Sequence, residues 1–304
     1  MIQKFKNKLS KDANLKELLF GSAVTFIIKV TGMLISYVVV LIIARKYGAE
    51  GTGVYTLTSS LLNSLAIFGA LGLNVAVLRY VGQFSEDENS ISKMRQLFKY
   101  TCQLAFPFAI LVGVVLFVFA EEISENIFEN ITYIPALQVG AVALPFFTLN
   151  LINVEFIRGL KRLKISEYLR SINRPLVIIV LLLLSFFSYG VLDAIYAFVV
   201  GIMLSFLLST LFIFKYFNKY KQKYIASEFN RKELLATSMP MMATTVASFI
   251  LANAGAFFIE YYSTTEQVGI FNVCLRLAQL VSLVLVVVNT ISAPKFAELY
   301  WAGK

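Results

Sequence analysis

Residues 16–84 read KELLFGSAVTFIIKVTGMLISYVVVLIIARKYGAEGTGVYTLTSSLLNSLAIFGALGLNVAVLRYVGQF. From Leu18 to Ala44 this stretch is almost wholly apolar. As a helix rising about 1.5 Å per residue it is roughly 40 Å long, more than the ~30 Å hydrocarbon core of a bilayer. Lys29 is the one charge within it, near its middle. Gly48, Gly51 and Gly53 then mark a short turn, and a second apolar helix is expected down to Arg79. The chain opens with a membrane hairpin, and the remainder repeats it or packs against it.

The composition extends that reading to all 304 residues: 58% are apolar and 15% charged, where a soluble domain carries about 25% charged residues. Apolar segments are expected at 18–44, 53–82, 96–120, 133–158, 167–187, 190–216, 232–262 and 267–294, each long enough to cross a bilayer with some tilt. The basic start followed by an apolar run resembles a signal peptide, but the run is too long and no small-residue cleavage site precedes Arg45-Lys46.

Orientation follows from Lys and Arg. With the N-terminus inside, Arg45 and Lys46 are the bases on outer segments and Lys29 and Arg276 lie within spans; all the rest of the 27 Lys and Arg fall on inner segments. The 120–132 loop has Glu121, Glu122, Glu125 and Glu129 and no base, as an outer loop would. Both termini are therefore expected on the cytoplasmic side of a cytoplasmic membrane. The net charge of +9 is a topology signal with attraction to anionic membrane lipids, and nucleic acid is not needed to explain it. Cys102 and Cys274 sit in apolar segments, and a chain without histidine offers neither a zinc site nor a phosphatase nucleophile. No metal site and no catalytic residue is expected. Pro107, Pro145 and Pro240 fall inside predicted spans, where they would kink a helix.

Displacing the chain by 216 positions matches its opening to its end without a gap. Lys16-Glu17-Leu18-Leu19 meets Lys232-Glu233-Leu234-Leu235, Gly53-Val54-Tyr55 meets Gly269-Ile270-Phe271, and Arg79-Tyr80 meets Lys295-Phe296. Six spans separate the copies, so both run the same way through the membrane, a parallel repeat. The expected organisation is a basic arm at 1–17, a lobe of six helices at 18–217, an inner linker at 218–231, and at 232–304 the first two helices of a second lobe, which looks truncated.

The stretch 44–84, with Gly48, Gly53 and Tyr55 at the outer turn and Leu71-Gly72-Leu73-Asn74 leading to Arg79, resembles the first hairpin of the Wzx-like polysaccharide (O-antigen) flippases of the multidrug/oligosaccharidyl-lipid/polysaccharide (MOP) exporter superfamily. Residues Glu155 to Arg162 resemble the exit of that family's fourth span. The resemblance implies an all-α, polytopic transmembrane bundle with two lobes around a cavity. It implies a flippase that moves a polyprenyl-pyrophosphate-linked oligosaccharide to the outer leaflet by alternating access, without covalent chemistry. Glycosyltransferases or a polymerase of a polysaccharide pathway would be its partners, and a coupling ion of unknown identity its only companion.

Lys29 and Arg276 are the candidate cavity cations. A base at mid-membrane costs about 2.5–3.5 kcal/mol to insert, so a role in a cavity is its default reading. Related lipid II flippases carry cavity cations in the first helices of each lobe, and Lys29 and Arg276 would occupy comparable places. Asn63 and Asn253 are the candidate sugar contacts, although any of Asn63, Asn74, Asn150, Asn153 and Asn253 would serve equally to tie two helices together. Glu155 and Arg158, at i, i+3, are expected to form a local ion pair. A drug or cation antiporter of the same fold is the alternative, as is a membrane scaffold without transport. An antiporter would favour intramembrane carboxylates, and the sequence suggests no central acid.

Overall fold

The computed structural model describes residues 13–84, 90–128, 130–184, 190–220 and 231–262, together with Leu285, Asn289 and Phe296; the side chains of 13–23, 25–26, 49–50, 249–250 and 252–262 stand outside that set. Among the described residues the chain is helical and contains no strand.

α1 (Ala13–Gly69) is one helix in its hydrogen bonding but two arms in space, divided at Gly48, whose φ of 68° and ψ of −165° are not helical. The expected turn over three glycines is thus made by one. Gly51 and Gly53 continue the second arm, and Gly51 faces Tyr47 across the turn. The expected second span is not continuous either. It breaks after Gly69 and resumes as α2 (Leu73–Phe84), with a bend of 52°. Leu71 (φ 51°) and Gly72 (φ 70°) are both left-handed there, a conformation that costs an L-residue about 1–2 kcal/mol and that glycine adopts freely.

α3 (Ser90–Val118) follows, then the short α4 (Ala120–Asn126) within the acidic segment expected outside, and α5 (Tyr133–Gly159). The expected fifth span is divided at Ile172 into α6 (Leu163–Ser171) and α7 (Asn173–Leu184). Pro175 lacks the N–H that would bond back to Ser171, so the first helix ends there. α8 (Leu192–Lys219) and α9 (Arg231–Tyr262) complete the described elements. Pro107, Pro145 and Pro240 all lie inside continuous helices. Four described helices are long and apolar enough to cross a membrane, or five if the bent pair is one span. The expected eighth span, 267–294, lies almost wholly outside the described residues.

α5 is the axis of the bundle, packed against α8, α3, α1, α2 and α6. It is mostly buried, with apolar residues spread round it and Val142 left exposed. Its outer half joins Val39, Ile43, Leu62, Leu137, Leu144, Ile195 and Ile202. Its inner half joins Leu73, Val77, Leu97, Ile152, Phe156 and Ile213. Gly140 lets Leu62 lie directly on the α5 backbone. Phe156 meets Phe98 and Phe217 edge-on, with ring centroids 5.3 and 5.8 Å away. Lipid tails are as apolar as leucine, so close packing of this kind holds such a bundle together. α9 enters the inner cluster through the fully buried Leu234, and Tyr80 meets Thr237 oxygen to oxygen at 2.7 Å.

Candidate functional site

Lys29 is half-buried on the first arm of α1 and faces α5 and α6. It interacts electrostatically with Glu167 and Glu155, and with Arg170 and Arg158. The carboxylate of Glu155 is shared: Arg158 Nη1 donates to Oε2 at 3.2 Å, and Arg170 Nη2 donates to Oε1 at 2.5 Å. The expected Glu155–Arg158 pair is therefore one edge of a larger network. Arg170 Nε lies 3.8 Å from Glu167 Oε1. Glu167 is only 1% exposed, and its Oε2 has no hydrogen-bond partner among the described residues. Glu167 is thus an acid buried within the bundle, on α6, which follows the Gly159 end of α5. Arg158 Nη2 also reaches the backbone carbonyl of Asn289 at 3.4 Å.

One turn beyond Lys29 on α1 stands Gly32. A Cβ built there would lie 2.8 Å from Nη1 of Arg174 and 3.1 Å from Oγ of Ser171. Arg174 reads in the sequence as one more inner-surface base. It is instead on the first turn of α7, half-buried against the middle of α1. The signal that could have found it is the pair Arg174-Pro175, since a proline that ends one helix leaves the flanking side chains to face a neighbour.

The asparagines divide. Asn153 Nδ2 donates to Ser209 Oγ at 3.0 Å and to Thr210 Oγ1 at 2.9 Å, and Ser209 donates to Asn150 Oδ1 at 2.9 Å. These two asparagines tie α5 to α8. Asn63 is exposed on the second arm of α1, in line with Thr52, Thr56 and Ser60. Arg276 and the side chain of Asn253 lie outside the described residues. At the Gly48 end of the bundle Asp193, fully buried at the start of α8, accepts a hydrogen bond from Tyr47 Oη at 2.7 Å and faces Lys46 Nζ at 3.5 Å. Among the described residues no group of three or more His, Cys, Asp or Glu could hold a metal ion.

A family model described as polysaccharide biosynthesis protein matches residues 18–300. The chain belongs to this family. Among solved structures it is similar to the outward-facing conformation of a multidrug resistance MATE family transporter of the MOP superfamily, at 14% identity and a TM-score of 0.67, covering 94% of this chain and 65% of that one. It is also similar to a MOP superfamily transporter from Pyrococcus furiosus, described as one in which the reverse polarity of the binding pocket suggests a different function, at 13% identity and a TM-score of 0.64, covering 93% of this chain and 64% of that one. Identities this low establish the fold: an all-α membrane bundle of the MATE type. The chain spans about 65% of the length of the first of these transporters. No curated protein matches it. The family is one of polysaccharide biosynthesis, and the fold is one seen in membrane transporters.

Proposed function

We propose that this polysaccharide biosynthesis family chain takes part in flipping a polyprenyl-pyrophosphate-linked oligosaccharide across the cytoplasmic membrane by alternating access, with both termini inside. The observation that carries this reading is the positive surplus within the bundle: Lys29, Arg158 and Arg170 stand against Glu155 and Glu167. Anionic headgroups are held by bases, guanidinium by two-point bonding and ammonium as a point charge. Lys29 and Arg276 are the proposed cavity cations, and Asn63 and Asn253 the proposed contacts of sugar hydroxyls. Membrane lipids surround the site, and glycosyltransferases or a polymerase of the pathway are the partners.

The test is flip of a lipid-linked sugar in vesicles carrying the full-length protein. Loss of flip in Lys29→Ala and Arg276→Ala supports the cation assignment, and unchanged flip in both removes it. A drug or cation antiporter is the second reading, favoured by the buried, half-satisfied carboxylate of Glu167. Efflux of a cationic dye that is abolished by Glu167→Gln, with no flip of lipid-linked sugar, would put that reading first.

A further inference from the structure

We infer that Arg174 joins the proposed cavity cation Lys29 and makes the closer grip on the phosphate of the transported headgroup, beside Gly32, Ser171 and Tyr55. The inference rests on the lipid-linked substrate proposed above.

The two cations differ in what surrounds them. Lys29 has carboxylates in its field, Glu167 foremost and then Glu155. Arg170 and Arg158 share that field, so its charge is partly answered within the protein. Arg174 has no ion pair and no hydrogen bond to any other described residue, and the group that acts on it electrostatically is the phenol of Tyr55. A guanidinium held within a helix bundle without a carboxylate is costly. An anion that arrives with the substrate offsets that cost.

Depth and shape agree. Tyr55 lies roughly 10 Å from the outer turn at Gly48 and Gly32 roughly 24 Å from it, measured along the two arms of α1 at about 1.5 Å per residue. The Arg174 head contacts Gly32 and is within the field of Tyr55, so along α1 it stands within the span of a ~30 Å hydrocarbon layer, beyond its midpoint from the Gly48 turn. The absent side chain at Gly32 makes the room: Nη1 of Arg174 and Oγ of Ser171 both crowd the place a Cβ would take. A guanidinium fork with a hydroxyl donor beside it fits two oxygens of a phosphate ester. Arg174 is half-buried, so it keeps a face from which a headgroup can approach.

The experiment measures binding and flip in vesicles by the full-length protein, with two probes: a polyprenyl pyrophosphate bearing one sugar, and the neutral polyprenyl glycoside of the same chain length. Arg174→Gln is expected to weaken binding of the pyrophosphate lipid by at least about tenfold, the effect of losing a charge-assisted hydrogen bond, and to leave the neutral lipid unaffected. Arg174→Lys keeps the charge without the fork and is expected to retain part of the affinity. Gly32→Ala, which keeps the arginine but fills its seat, is expected to lower affinity in the same selective way. Lys29→Gln is expected to change it less than Arg174→Gln. Binding by Arg174→Gln and Gly32→Ala equal to that of the parent overturns the inference and leaves the flippase reading standing. So does a selective loss in Lys29→Gln larger than in Arg174→Gln. A parent that binds and flips neither probe overturns both. Binding of the neutral glycoside and a preserved melting transition report that each variant is folded.

Discussion

The backbone of Gly72 rests on the main-chain carbonyl of Ser238, so closely that a Cβ on Gly72 would overlap it. This contact joins the break in the second span to α9, and Ser238 is fully buried in it. Gly72 also holds a φ of 70°. Gly72→Ala is therefore expected to be hit twice, by a left-handed alanine, which costs about 1–2 kcal/mol, and by displacement of α9. Gly48 separates the two effects, because it too has a positive φ but nothing within 4 Å of its missing Cβ. Thermal unfolding in detergent is expected to show the larger drop in midpoint for Gly72→Ala. Equal drops would mean that the contact with Ser238 contributes nothing.

Tyr47 is expected to matter for stability through its hydroxyl alone. It donates to the buried carboxylate of Asp193 at 2.7 Å and so joins the Gly48 turn of α1 to the start of α8. Tyr47→Phe keeps the ring and removes one donor from a buried charge, a change that costs about 1–3 kcal/mol. Asp193→Asn is expected to relieve part of that loss when added to Tyr47→Phe, since a neutral amide needs the donor less. Unfolding of the two single variants and the double variant, with no such relief, would count against the phenol acting through Asp193.

The span pattern, the hairpin and the family were legible because they rest on runs of apolar residues and on the placement of Lys and Arg, which the bilayer constrains directly. The breaks were not. Leu71 and Ile172 are ordinary apolar residues that read as more helix, and only the left-handed φ of Leu71 and the missing N–H of Pro175 end the helices beside them. The network around Glu155 was half legible. Its i, i+3 partner Arg158 is a matter of spacing along one helix, whereas Arg170 and Glu167 come from another helix that folds back. Glu167 and Arg174 were missed because their burial comes from α6 packing on α1 and α5 and α7 packing on α1, contacts far apart in sequence.

Glu155 and Arg170 are expected to be coupled. Their 2.5 Å contact joins α5 to α6 and is partly exposed, on the arginine side more than on the glutamate side. A double-mutant cycle with Glu155→Gln and Arg170→Gln is expected to give an interaction energy of about 0.5–2 kcal/mol, above that of an open surface pair because Glu155 is mostly shielded. Added salt should reduce it only weakly, since a shielded pair is screened less than an exposed one. A cycle that closes to within ~0.3 kcal/mol would mark the contact as energetically idle.

Side-specific labelling tests the orientation that the proposed direction of transport requires. α4 carries Glu121, Glu122 and Glu125 and has exposed positions, while Lys161 and Lys164 are exposed at the other end of α5. In a chain with Cys102 and Cys274 replaced by alanine, Glu122→Cys is expected to react with a membrane-impermeant maleimide added to intact cells. Lys161→Cys is expected to react only after the membrane is opened. Replacing Glu122 and Lys161 should leave folding intact, because both side chains are exposed. The reverse pattern would invert the bundle, put the basic segments outside, and remove the basis for drawing the headgroup in from the cytoplasmic leaflet.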